Sequence, residues 1–283
     1  MDTLVAVGTP AAQHCLVDNV LLAAVPSRTL VKRVLYGVAK LQHPTAELTD
    51  VVVELAHRPD RFPPPLRAEN VTTQALLMVG AVARAVHRKS PERARALVAP
   101  LEEELGHHSP DRYRRQTDGV TLEPPTEKEF AGFARTSLLL EALGNAGNHG
   151  SLPRLLSHAT ADDAPLPVRH AAVHALRTFD TPEVEMVLLE RSIMDTHDHV
   201  RKVAMDLYTA RPRSLELADA LQSANEVRDL TLSNVTLAPA GPQSILVRQA
   251  RGLDSTAKAV WKAWMKARQD SMLAWFWCLR LPC

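Results

Sequence analysis

The sequence predicts an all-α fold: a right-handed superhelical α-solenoid of paired, HEAT-like helices. Three observations carry this. Apolar residues recur at helical spacings through most of residues 1–224. Helix pairs, several opened by a proline beside a small polar residue, return roughly every 35 to 45 residues, a solenoid period that gives about five pairs. Hydrophobic residues make up 46% of the chain but aromatic residues only 4%, and a core of Ala, Leu and Val favours helix over a β-sandwich. One pair cannot bury its own apolar face, so neighbouring pairs stack and share a core.

The elements follow in order. Thr9-Pro10, behind Gly8, is a cap and a proline, which starts a helix. That segment runs from Thr9 to Ala24 with Leu16, Val20 and Leu21 inward. Pro26-Ser27 restarts the helix, with Leu30, Val31, Val34, Leu35, Val38 and Leu41 as its stripe. Pro44-Thr45 opens the next, holding Leu48, Val51, Val52 and Leu55. Prolines 63–65 cannot continue a helix, so Arg58 to Pro65 is a loop. Leu66 to His87 is a long helix, so apolar through Ala75–Val82 that neighbours must cover it on both sides. Ser90-Pro91 opens a helix to about Leu105, and Gly106 to Pro125, rich in proline, glycine and arginine, is an exposed loop.

Glu127 to Leu143 is the next helix, with Leu138, Leu139, Ala142 and Leu143 on one face. Gly144, Gly147 and Gly150 stop it, because glycine takes the left-handed conformation of a helix end. Leu152, Leu155 and Leu156 mark a short helix. Pro165 and Pro167 then open another, as proline is tolerated in a first turn. Its buried stripe is Val168, Ala171, Ala172, Ala175 and Leu176, with Arg169, His170, His174 and Arg177 between those positions. Pro182–Asp195 pairs with His199–Ala210, and Ser214 to Ala224 is a last helix. The repeat region is thus residues 1–224, followed by a divergent, partly irregular tail, 225–283.

LLLEALGNAG (138–147), LPRLL (152–156) and PLPVRHAAVHALR (165–177) resemble the helical domain of the large lipid transfer proteins. That superfamily includes vitellogenin, apolipophorin, apolipoprotein B and the microsomal triglyceride transfer protein. The EALGNAG turn is the most specific element; the VRxAAxxAL pattern is shared with HEAT repeats. PEVEMVLLERSIMDTHDHVRKVAMDLYTARP (182–212) keeps the same order of helix, acidic break, VRxxA helix and proline, and VGTPAAQHCL resembles a GTPEA-type turn of the family. The resemblance spans roughly Leu4 to Leu221. It implies lipid transport, with lipid as a partner. It also implies an arch that supports lipid-lining sheets, binds protein partners on its surface and works in the secretory lumen or outside the cell, behind a β-sheet domain. Taken literally, the residues point elsewhere: Met1-Asp2 starts acidic and Leu4–Val7 is too short for a signal core. The rival reading is therefore a cytosolic HEAT-type interaction scaffold with no lipid role.

Composition excludes several classes. A formal net charge of +1 gives no global field for nucleic acid or an anionic membrane. No apolar run approaches the roughly 18 to 20 residues that span a bilayer. Neither G-x-S-x-G, a glycine-rich phosphate loop nor a catalytic cysteine context is present, so no enzyme activity and no cofactor is expected. His170 and His174 lie one helical turn apart, yet HAAVH lacks the glutamate of HExxH and reads as positions flanking buried alanines, not as a metal site. His107, His108, His197 and His199 read as loop histidines, and Arg112, Arg114 and Arg115 as a solvated loop. Asn70-Val-Thr72 and Asn234-Val-Thr236 match the glycosylation pattern by chance. Cys15, Cys278 and Cys283 are expected to be free thiols, with a Cys278–Cys283 pair as the alternative under oxidising conditions. In the tail, Trp261, Trp264, Trp275, Phe276 and Trp277 admit two readings of equal weight. With Lys258, Lys262 and Lys266 they fit a membrane-interfacial segment; otherwise they cap the last repeat.

Overall fold

A computed structural model describes residues 8–23, 26–108, 110 and 126–211. Among the described residues the chain is all helical, with no strand, and all lie in one compact unit, Met1–Pro212. The helices are α1 (Pro10–Leu16), α2 (Arg28–Val38), α3 (Ala46–His57), α4 (Glu69–His87) and α5 (Pro91–Gly106), then α6 (Glu127–Ala146), α7 (Leu152–Ala159), α8 (Leu166–Ala175), α9 (Pro182–Met194) and α10 (Asp198–Thr209). Four begin on a threonine whose hydroxyl accepts from a first-turn N–H, a group the helix itself leaves unpaired. These are Thr9 to Ala12, Thr45 to Leu48, Thr126 to Glu129 and Thr181 to Val184. Thr126 and Glu129 complete a reciprocal capping box. α1 runs on into a wider π-helical turn, Val17–Leu21, before the chain breaks.

The helices pair and stack in two rows. α2, α4, α6, α8 and α10 pack in succession, each on the next, with α3, α5, α7 and α9 against them and α1 against α3. α4 touches α2, α3, α5 and α6, so its apolar middle is covered from both sides as its sequence predicts. Val34, Leu35, Leu48, Leu55, Leu76, Leu101 and Leu139 are fully buried, each contributing about 1.5–3 kcal/mol. Ala172 is likewise enclosed, at 0% exposure.

Three expectations are corrected. Leu30 sits on the edge of α2 and is exposed, because the buried stripe narrows to Val31, Val34, Leu35 and Val38. Gly144 does not stop α6. The helix runs two residues further and ends at Gly147, whose φ of 62° is the left-handed region that favours glycine. Gly144 is instead a contact point: a Cβ there would stand 2.6 Å from Ala175 Cα, so its absence lets α6 and α8 approach. Arg169, expected between the positions of the buried stripe, is itself buried, as described below. The end of the loop (111–125), the helix expected at Ser214–Ala224 and the tail lie outside the described residues.

Candidate interaction face

Charge divides between α2 and α3. α3 carries Glu47, Asp50 and Glu54 and no lysine or arginine, whereas α2 carries Arg28, Lys32 and Arg33 and no carboxylate. α8 also has no carboxylate, and α4 only Glu69 in its first turn. Over the whole even-numbered row the charge is mixed, because α6 carries Glu127, Glu129 and Glu141 against Lys128 and Arg135; the cationic excess lies on α2.

Along that row the polar residues are tied into a ladder. On α6, Glu141 and Asn145 stand one turn apart, both meet Arg177, and Asn145 also reaches α4. The Asn145 amide donates to the Leu77 carbonyl of α4 at 3.3 Å and its oxygen accepts from Arg177. Arg177, just beyond α8, also donates to Glu141 Oε2 at 3.1 Å and to the His174 carbonyl at 2.9 Å. His174 Nδ1 lies 2.7 Å from Glu141 Oε1. The His170 ring stacks at 6.5 Å on that of His174. Burial alone would raise the Glu141 carboxyl, but the hydrogen bond and charge of His174 and the charge of Arg177 outweigh it and hold it below the usual carboxylate range. Burial, and then the His174 charge, lowers His170. Both histidines flank the alanine stripe, as their spacing predicts.

A second cluster is buried between α8 and α9. Asp195 has a fully enclosed carboxylate, with Arg169 Nε at 3.1 Å and Arg191 Nη1 at 3.5 Å. Arg191 also pairs with the exposed Asp162 at 2.6 Å, and the Thr160 carbonyl accepts from it at 2.8 Å. The contact is a repeat feature. Arg169 donates to the Asp162 carbonyl and Arg201 to the Asp195 carbonyl, each at 2.6 Å. Each arginine of a Val-Arg doublet thus fastens the acidic break before its own helix. The signal was present in the sequence as the doublets Val168-Arg169 and Val200-Arg201, each a few residues past an aspartate.

Two other histidines, His14 and His158, are structural. His14, exposed, bridges two carboxylates: Nδ1 stands 3.0 Å from Glu47 of α3, and Nε2 3.3 Å from Asp18. The Glu47 hydrogen bond, then the Asp18 and Glu47 charges, raise it. With each ring nitrogen facing a carboxylate, this is a link between α1 and α3. His158, on α7, is buried, and burial followed by the charge of His108 pulls it from its ordinary 6.5 down to about 4. It is therefore neutral in the fold and must take up a proton on unfolding in acid. The folded value is depressed, so its stability is present above pH 6.5 and lost as pH falls toward 4. At about 1.4 kcal/mol for each pH unit, up to about 3 kcal/mol disappears. Urea melts at pH 7 and 4.5 measure this. We expect His158→Gln to lose distinctly less between them than the parent, and equal losses overturn the assignment.

Of the other residues singled out by sequence, Asn70 is exposed on the first turn of α4, and Cys15 is a free thiol. His107, His197 and His199 are exposed. Trp261, Trp264, Trp275, Phe276 and Trp277, with Arg112, Arg114, Arg115 and Asn234, lie outside the described residues. The arrangement offers polar and charged contacts along a row of helices, which suits binding. A family model described as the Vitellogenin TPR domain matches residues 1–212. No curated protein and no solved structure matches the chain.

Proposed function

The chain belongs to the Vitellogenin TPR domain family, a helical domain of the large lipid transfer proteins, and from that membership we propose that it serves lipid transport. In this reading the paired helices wind as a right-handed superhelix. They form an arch that supports lipid-binding sheets and offers its surface to protein partners. The supporting observation is the ladder that ties α4, α6 and α8 through Leu77, Asn145, Arg177 and Glu141. It fixes the relative placement of successive helices in the even row, as an arch that must hold a sheet requires. The domain acts by binding, not by catalysis, and works in the secretory lumen or outside the cell. No helix among the described residues is long and apolar enough to cross a membrane.

The test is the lipid content of the endogenous polypeptide. It is immunoprecipitated without detergent, and bound phospholipid and neutral lipid are quantified against a control precipitate. We expect lipid above the control and a polypeptide in the secretory fraction. A lipid-free polypeptide confined to the cytosol overturns this reading in favour of an interaction scaffold.

A further inference from the structure

We propose that the exposed face of α2 docks on an anionic lipid surface. From Asn19 to Ala46 there is not one aspartate or glutamate, yet the stretch holds Arg28, Lys32, Arg33 and Lys40. Arg28, Lys32, Tyr36 and Lys40 recur every fourth residue, so they form one ridge along the helix and into the turn just beyond it. Arg28, Tyr36 and Lys40 are exposed and Lys32 half-exposed. Tyr36 is 63% exposed, with Lys40 Nζ 5.0 Å from its ring centroid. Leu30, two positions from both Arg28 and Lys32 and so on another side of α2, is exposed at the helix edge, and so is Leu22 before the helix. The opposite face cannot turn outward: Val31, Val34, Leu35 and Val38 are buried, and Gln74 of α4 donates to the Lys32 carbonyl at 3.1 Å.

Charge complementarity names an anionic partner, and the exposed tyrosine decides which kind. Lysine and arginine in one row with an exposed tyrosine on one helix face is the chemistry of an interfacial helix. The cations meet headgroup phosphates while the ring enters the headgroup boundary. The proposal goes beyond lipid transport, since docking on a surface needs no bound cargo.

Vesicle cosedimentation of the full chain tests it. The probe is phosphatidylcholine vesicles containing roughly 30% phosphatidylserine, beside pure phosphatidylcholine. We expect binding only to the anionic vesicles, weakening as salt is raised. Each lysine or arginine near such a surface is worth about fivefold in partitioning, so R28Q/K32Q/K40Q should bind on the order of a hundredfold more weakly. The charge-conserving R28K/K32R/K40R should bind like the parent, which separates lost charge from lost folding. Tyr36→Ala should weaken binding with an unchanged melt. Three results overturn the proposal: no binding of the parent, equal binding by R28Q/K32Q/K40Q, or loss only when Lys258, Lys262 and Lys266 are changed to glutamine. The first of these would leave an acidic protein segment as the partner of α2. None of them bears on the lipid content of the endogenous polypeptide.

Discussion

Asp195→Ala is expected to lower the unfolding free energy by about 3–5 kcal/mol, because it strips a buried cation pair of its counter-charge. The Asp195 carboxylate is fully enclosed, and Arg169 and Arg191 beside it are nearly so. The carboxylate also accepts from the His197 N–H at 2.9 Å, ordering the turn into α10. Removing it leaves Arg169 with the Asp162 carbonyl and Thr196 hydroxyl, and Arg191 with the Thr160 carbonyl and the solvent-exposed Asp162. The comparison is Asp50→Ala. That carboxylate meets Arg93 at a similar 3.0 Å but is 71% exposed, so its loss should fall below about 1 kcal/mol. Urea melts followed by circular dichroism measure both. If the two variants have the same midpoint, the buried cluster is not what holds α8 and α9 together.

The buried stripes were legible because they obey a local rule. Val31, Val34, Leu35 and Val38, or Val168, Ala171, Ala172 and Ala175, fall on one face whatever they pack against. The caps were legible for the same reason, as Thr9, Thr45 and Thr181 act on N–H groups three residues ahead. What sequence misjudged depends on partners far along the chain. Arg169 lies on a helix of alanines, where a cation ordinarily points to water. Only Asp195, arriving with the next pair, makes its burial tolerable. Gly144 looked like punctuation, but its role is set by Ala175 across the seam. Pro100 sits inside α5 without ending it. Its missing N–H and ring clash cost about 3 kcal/mol, and the burial of Ala94, Val98, Leu101 and Leu105 offsets that. The candidate face was half legible. His170 and His174 were correctly placed beside the alanines, but nothing local pointed to Glu141 and Asn145 as their link to α6 and α4.

Gly80→Val should be the most damaging of the small-to-large changes, opening the seam between α4 and α6. A Cβ on Gly80 would stand 1.9 Å from the Ala142 carbonyl oxygen and 2.8 Å from its carbon. Both are backbone atoms of a helix, so no side chain can swing aside, and the helices must separate. That separation also pulls on the Asn145 bond to the Leu77 carbonyl. Overpacking of this kind costs about 3 kcal/mol or more, against a helix-propensity gain of under about 1 kcal/mol for replacing glycine. The steric term wins and the sign is destabilising. Gly132 is the internal control. It too lies within a helix, α6, but a Cβ there meets nothing within 4 Å. Gly132→Ala should therefore stabilise, by up to about 1 kcal/mol. Thermal melts of Gly80→Ala, Gly80→Val and Gly132→Ala place the three in order. The first two should lie below the parent, valine lowest, and the third at or above it. A Gly80→Ala protein as stable as Gly132→Ala would mean that α4 and α6 do not meet at this glycine.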